Sequence, residues 1–455
     1  MQEENQETPS HTQQCEQSII CKDVAECLKS ELPAGEELAV RVIHTSDHPV
    51  DSLTPHRVHC HFNATSVISR RVLILVSRNG SYVAGLEAHE FVTVSVDIPC
   101  DLDSSNVHHV RNGAVSVDAC IQKVDTTGEL TVRMPLARML VAGYVHSLRR
   151  YRCVNGVPSV GVYLFARAQP EYLFAKSQKN CGKHALADMA LIKWWQGTMQ
   201  SALMYAMSAG QHKNGQGAGS GCKVDALAYC VIPGAAASEA TSPWFLGSCN
   251  SADNKQSVDP ANSQQPTQNN DSAEGPAVRW VWGLPYPDSA CAHNHVLQFP
   301  DDPMTRLLSE PHSRSWSVSM LLEMLSVSEE CGSGHRTAYI SASLPASNLQ
   351  HPHSELSAHS AATADQGSLS FDNYDDILIA LFDRDMDFSD TATSLSSTAR
   401  LDSYLASSYS IRPVVVKTNG PSILQNSTCS SSSNTDALKA NDLTMMVRKK
   451  RKVAS

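Results

Sequence analysis

Residues 71–98 read RVLILVSRNGSYVAGLEAHEFVTVSVDI, and no other stretch limits the fold as much. Asn79-Gly80 separates two long apolar runs, and both residue types accept the positive φ that a two-residue hairpin turn demands. The stretch predicts an antiparallel hairpin, RVLILVS (71–77) against YVAGLEAHEFVTVSVDI (82–98). A further strand, AVSVDACIQKV (114–124), leads into the turn DTTG. Pro135 then suits the first position of a helix, and Leu136, Leu140, Tyr144 and Leu148 recur on one helical face. Arg149 and Arg150 are expected to close that helix, where cations complement its dipole. VGVYLFARA (160–168) is the next strand. A helix start exposed after a strand offers free backbone N–H groups to an anion such as a pyrophosphate.

A second helix is predicted over 183–208, with Ile192, Trp195, Met199, Leu203 and Met207 sharing a face and Gly210 as its stop. A short apolar stretch follows near 224–233. Residues 248–277 are low in complexity and mark an insertion, bounded at about 236–278. The body resumes at VRWVWGLPYP, passes a helix near 316–329 and ends its sheet with RTAYISASL (336–344). The expected organisation is a loose N-terminus (1–24), one domain (25–345) and a mostly disordered 346–435 with a docking helix near 373–385. A basic tail (436–455) closes the chain.

At 455 residues and 42% hydrophobic the chain can bury a substantial core, but the Ser-, Asn- and Gln-rich remainder points to disordered attachments. A net charge of −10 argues against wrapping DNA unaided and suits a basic partner. The N-terminus lacks the apolar core of a secretory signal, and no run is long enough to span a membrane. The 14 cysteines have no repeated CxxC spacing and read as reduced thiols, which makes the sequons at Asn63, Asn79 and Asn426 uninformative. His59 and His61 in HRVHCHF (56–62) share a strand face without further ligands at metal spacing, so no metal site is expected.

FPDDPMTRL (299–307) sets Asp301 beside Asp302 between two prolines, with Arg306 close behind. As residue types alone this is most often a surface turn. In a water-poor setting, one carboxylate of such a pair resists ionisation and becomes a base.

Four blocks, KVDTTG (123–128), FARAQPEYLFAKSQKNCGKHAL (165–186), IKWW (192–195) and LQFPDDPMTRLL (297–308), occur in the order that resembles one family. It is the fungal histone acetyltransferase family named for regulating Ty transposition, a distant fold relative of the CBP-type coactivator acetyltransferases. The resemblance covers about 28–345 and recurs in the basic C-terminus. It implies an α/β domain with a central mixed sheet ringed by helices. It also implies transfer of acetyl from acetyl-CoA to histone H3, on lysine 56 and tail lysines, in the nucleus and in the service of chromatin assembly and genome stability. The implied partners are histone H3–H4, an anti-silencing-function chaperone and a nucleosome-assembly-type chaperone, with no sequence-specific DNA contact and no membrane.

Carried over by motif, Val124, Asp125 and Thr126 line the acetyl-CoA site. Arg133, Met134, Pro135, Leu136 and Ala137 meet its pyrophosphate, and Phe165, Gln169, His184, Ala185, Leu186 and Trp194 complete the pocket. Arg167, Tyr172 and Trp195 border the lysine channel, with Asp301 and Asp302 at the chemistry. For Trp194 and Trp195 the plainer alternative is core packing of one of the two; Tyr172 and His184 also have ordinary structural readings.

This chain departs from the family at Met304, where the family carries a lysine that becomes acetylated and activates the enzyme. No lysine occurs between Lys255 and Lys417 to replace it, so activity independent of autoacetylation is expected, with Met304 filling that volume apolarly. RKKRK (448–452) suits nuclear import or contact with an acidic chaperone. The competing functional class is a catalytically inactive histone- or chaperone-binding scaffold of the same fold.

Overall fold

The computed structural model describes residues 19–51, 53, 65–95, 114–128, 134–155, 159–208, 226–246, 278–328, 331, 336–344 and 368–420. Arg133, the HRVHCHF stretch, Gly210, the low-complexity 248–277 and RKKRK lie outside the described residues.

The hairpin forms as its residues dictate. Strands β3 (Thr65–Arg78) and β4 (Ser81–Ser95) pair antiparallel through a turn in which Asn79 and Gly80 take φ of 52° and 80°. β5 (Ala114–Thr126) pairs antiparallel with β4, and helix α2 (Leu136–Asn155) crosses over to β6 (Ser159–Ala166), which lies parallel to β5. Around this centre the sheet runs β10-β1-β3-β4-β5-β6-β9-β7-β8, with β2 (His48–Val50) on β3. Here β1 is Glu37–His44, β7 Ala226–Val231, β8 Val278–Trp282, β9 Ala338–Leu344 and β10 Val414–Lys417. Two junctions, β5–β6 and β7–β8, are parallel and the rest antiparallel, which makes the sheet mixed.

Helices cover both faces. On one, α1 (Ile19–Glu31), α2 and α3 (Asp188–Ser208) bury the predicted stripe Leu140, Tyr144 and Leu148 together with Ile192, Trp195, Met199, Leu203 and Met207. Each large aliphatic side chain removed from water there contributes about 2 kcal/mol. Gly143 lets α1 approach α2 closely, since a Cβ would lie 2.8 Å from Val24 Cα. None of the described helices is long and apolar enough to cross a membrane.

Four boundaries differ from expectation. α2 runs on past its arginines: Arg149 is buried and donates from Nη1 to the Ala206 carbonyl of α3, and Arg150 Nη1 sits 2.6 Å from the buried Asp23 of α1. Partners on neighbouring helices, not the helix dipole, hold these cations. α3 begins at Asp188 because residues before it are committed to a loop described below. The insertion begins later than position 236, since a 3-10 turn at Ala237–Thr241 leads to Phe245, which is buried edge-on against Trp282 at 5.6 Å.

The fourth correction is the largest. Residues 368–420, expected to be mostly disordered around one short helix, form α7 (Phe371–Leu381), α8 (Thr391–Tyr409) and β10, a strap over the second face of the sheet. Tyr374, Ile377, Leu381, Phe388, Leu401 and Leu405 pack there on Leu73, Leu75, Tyr82 and Phe174. α8 reads as a polar tract because serines and threonines occupy part of its buried face. Two of them are bonded to neighbouring backbone: Thr398 Oγ1 accepts from Tyr82 N at 2.9 Å, and Ser397 Oγ accepts from Asp387 N at 2.8 Å. An Asp390–Thr393 capping box starts the helix. β10 then pairs with β1, so RTAYISASL is an interior strand and not the last. The short helices α4 (Ala292–His295), α5 (Pro303–Leu308) and α6 (Val318–Ser326) complete the molecule.

Candidate active site

Asp125, at the end of β5, is nearly enclosed and acts as an anchor. Its Oδ2 accepts from the backbone N–H of Tyr172 and Leu173 at 2.9 Å and of Phe174 at 3.3 Å. Its Oδ1 accepts from Thr126 N at 2.9 Å and forms an ion pair with Lys183 Nζ at 2.7 Å. Lys183 also donates to Ser177 Oγ at 2.6 Å. Thr127 closes the turn by donating to the Tyr82 and Val83 carbonyls. Gly128 and Gly182 then touch: a Cβ on Gly182 would meet the Gly128 carbonyl oxygen at 2.2 Å, so neither position admits a side chain. One carboxylate therefore welds DTTG, YLF and GKH into a single unit. Sequence reasoning placed Asp125 in the cofactor pocket; its carboxyl is spent on the chain itself, which leaves backbone and neighbours to face a ligand.

The other expected cofactor residues differ in exposure. Val124, Thr126, Leu186 and Trp194 are half-buried, and Gln169, His184, Ala185 and Pro135 are exposed. Met134 and Leu136 are buried in the core, so a ligand at this helix start would meet Pro135, half-buried Ala137 or the backbone. Arg167 is exposed, and its carbonyl accepts from the Tyr172 hydroxyl, which in turn accepts from Gln169 N at 3.0 Å. Burial raises the Tyr172 phenol above its usual range, which keeps it neutral. The loop is thus pinned at both ends of Tyr172.

Asp302 occupies the N-cap position of α5, with Pro303 behind it and Asp301 exposed in the left-handed region at φ 60°. Its Oδ2 accepts from Thr305 Oγ1 at 3.5 Å. The carboxyl faces an apolar cavity lined by Cys120, Tyr163, Phe165, Tyr286, Phe299, Met304 and Tyr339. Burial pushes Asp302 up to about 7, against the opposing pull of nearby amides, Tyr339 and Arg306. A carboxylate poised near neutral pH at the wall of an apolar cavity is suited to accept a proton there. Met304 is buried in the same wall.

The expected pair of Asp302 and Trp195 does not share a lining. Along β6, Val160, Val162, Leu164 and Ala166 face the helical core that holds Trp195, whereas Tyr163 and Phe165 face the Asp302 cavity. Trp195 is only 8% exposed, and Trp194 lies edge-on against it at 4.9 Å. Phe165, expected at the cofactor, does join Asp302, its ring 4.6 Å from that of Tyr339. Tyr339 and Lys183 were missed. Tyr339 sits in an ordinary strand and gave no signal; Lys183 lay inside a quoted motif, but its buried partner is distant in sequence.

A family model, the histone acetyltransferase KAT11-type domain, matches residues 149–404. The chain belongs to that family. The KAT11-type match ends at residue 404, within α8, and so takes in most of the folded strap's helices. Among curated proteins the chain is similar to histone acetyltransferase rtt109 of Aspergillus flavus, 28% identical over 351 residues (71% of this chain, 56% of that one). It is also similar to histone acetyltransferase rtt109 of Schizosaccharomyces pombe, 25% identical over 229 residues (49% and 52%). The chain thus spans about half the length of the curated relatives it matches. The crystal structure of Rtt109 from Aspergillus fumigatus has the same fold, with a TM-score of 0.59 at 20% identity over 87% of this chain and 99% of that one.

Proposed function

We propose that this protein is a histone lysine acetyltransferase that moves the acetyl group of acetyl-CoA to lysines of histone H3, lysine 56 and tail lysines among them. Family membership supports the reaction class, and the Asp302 carboxyl at the wall of an apolar cavity carries the mechanistic reading. A lysine ammonium ionises near 10.4, so freeing its amine at neutral pH costs about 4–5 kcal/mol. Asp302 takes that proton, with Asp301 beside it; the amine nitrogen bonds to the acetyl carbon, and the carbon–sulfur bond breaks to release a thiolate that is protonated in turn. Acetyl-CoA supplies the activated acyl group when bound. No covalent acyl-enzyme is needed.

The Asp125-anchored unit forms the floor of the cosubstrate cleft, with half-buried Val124, Thr126, Leu186 and Trp194 as apolar contacts and exposed Gln169, His184 and Ala185 at the rim. Arg167 and Tyr172 border the lysine's entrance. Trp195 contributes by fixing α3 beneath Trp194. A net charge of −10 favours a basic substrate such as H3–H4 presented by a histone chaperone of the anti-silencing-function or nucleosome-assembly type, and RKKRK directs the chain to the nucleus. The test is acetylation of H3–H4 by the full chain, with and without chaperone, followed by site mapping and calorimetry of acetyl-CoA. Binding of acetyl-CoA without any transfer to H3 would overturn this reading.

A further inference from the structure

The cavity wall opposite α5 contains two hydroxyls that the chain itself does not satisfy. Tyr339 and Ser341 alternate on β9, so both point to one face; they are 5% and 7% exposed, and neither hydroxyl makes a well-formed hydrogen bond among the described residues, although Tyr339 stands near enough to Asp302 to draw its carboxyl down. Both line the cavity that holds Asp302. A buried hydroxyl left without a partner costs about 1–3 kcal/mol, and a strand interior offers many apolar residues that would avoid this loss. Such groups are retained where something else meets them.

We propose that Tyr339 is a positioning residue for the lysine-deprotonating step, its hydroxyl turning to hold the Asp302 carboxylate toward the cavity while Ser341 accepts a hydrogen bond from the entering ammonium. The Phe165 ring at 4.6 Å holds the Tyr339 ring in place, so the hydroxyl is presented by a rigid strand. The charged and titratable groups facing Asp302 are Arg306 on α5, Cys120 on β5 and Tyr339 on β9, with Tyr163 and Tyr286 in the same lining. Cys331 is close enough to Tyr339 to act on its phenol electrostatically. Of these, Tyr339 combines a pull on the Asp302 carboxyl with an O–H that no well-formed hydrogen bond yet holds. This inference rests on the acetyltransferase reading above.

The experiment compares wild type, Tyr339→Phe and Ser341→Ala in full-chain acetylation of H3–H4 across pH 5.5–9, with melting temperature followed over the same range. Tyr339→Phe removes a donor that favours the ionised carboxyl, so the acid limb of kcat/KM moves to higher pH and kcat falls between about 10- and 100-fold. The pH at which stability changes moves in the same direction. Ser341→Ala raises KM for the histone without moving the limb. A Tyr339→Phe enzyme with unmoved limb and unmoved stability midpoint overturns the inference. Absence of transfer by wild type overturns the enzyme reading instead, while the stability midpoint still decides the Tyr339–Asp302 link.

Discussion

Lys183 Nζ lies 2.7 Å from Asp125 Oδ1, with side-chain exposures of 6% and 4%. Removing one member of such a pair strands the other charge in a low-dielectric setting. Lys183→Met is therefore expected to cost about 3–5 kcal/mol in urea unfolding. Asp125→Ala costs more than Lys183→Met, because it also strands the amides of Tyr172 and Leu173. Equal losses, or losses below about 1 kcal/mol, would show that the anchor does not hold the loop.

Asp302→Asn separates catalysis from stability. Turnover is expected to fall by about 10²–10⁴-fold with acetyl-CoA affinity kept. The folded carboxyl sits at about 7, above the ordinary carboxylate value, so the native state holds its proton more tightly than the unfolded chain does. That stabilisation is complete below the unfolded value and is lost as pH rises through about 7. Wild type and the asparagine variant should melt alike near pH 4, diverge between about pH 4 and 7 with the variant higher, and keep a constant gap of at most about 4 kcal/mol above pH 7. Catalysis should rise as pH passes through about 7.

Met304 cannot carry an acetyl group, and it fills the cavity wall beside Asp302. Enzyme treated with a lysine deacetylase should keep its rate within about twofold of untreated enzyme, with modification followed by mass spectrometry. A large fall in rate after deacetylation would contradict independence from autoacetylation.

The strap supports the loop that Asp125 anchors. Phe388 is fully buried edge-on against Phe174 at 5.1 Å, its N–H donates to the Ala175 carbonyl at 3.0 Å, and Lys176 pairs with Asp387 at 3.3 Å. Phe388→Ala should lose about 3–5 kcal/mol. Acetyl-CoA affinity should fall with it, because the 172–180 loop loses its backing. Calorimetry showing unchanged affinity in a destabilised variant would confine the strap to a structural role.

Local chemistry made part of this molecule readable. Asn79-Gly80 has only a few backbone states to choose from, and the spacings of Leu140, Tyr144 and Leu148 and of Ile192, Trp195 and Met199 need one dry face each, so the hairpin, the crossover helix and α3 follow from neighbours in sequence. The family-like blocks marked the family, and the Pro-bounded aspartates set one carboxyl at the wall of an apolar cavity. What the chain could not disclose locally depends on partners distant in sequence. α8 docks because Tyr82 and Asp387 meet the buried hydroxyls of Thr398 and Ser397, and without such partners its serines and threonines read as a disordered tract. Asp125 is an anchor because a lysine and backbone amides from another segment converge on it, and Trp195 is core because the pleat of β6 sends Leu164 and Phe165 to opposite sides. Periodicity fixes which residues leave water; only three-dimensional packing fixes which of them meet, and a site is made of meetings.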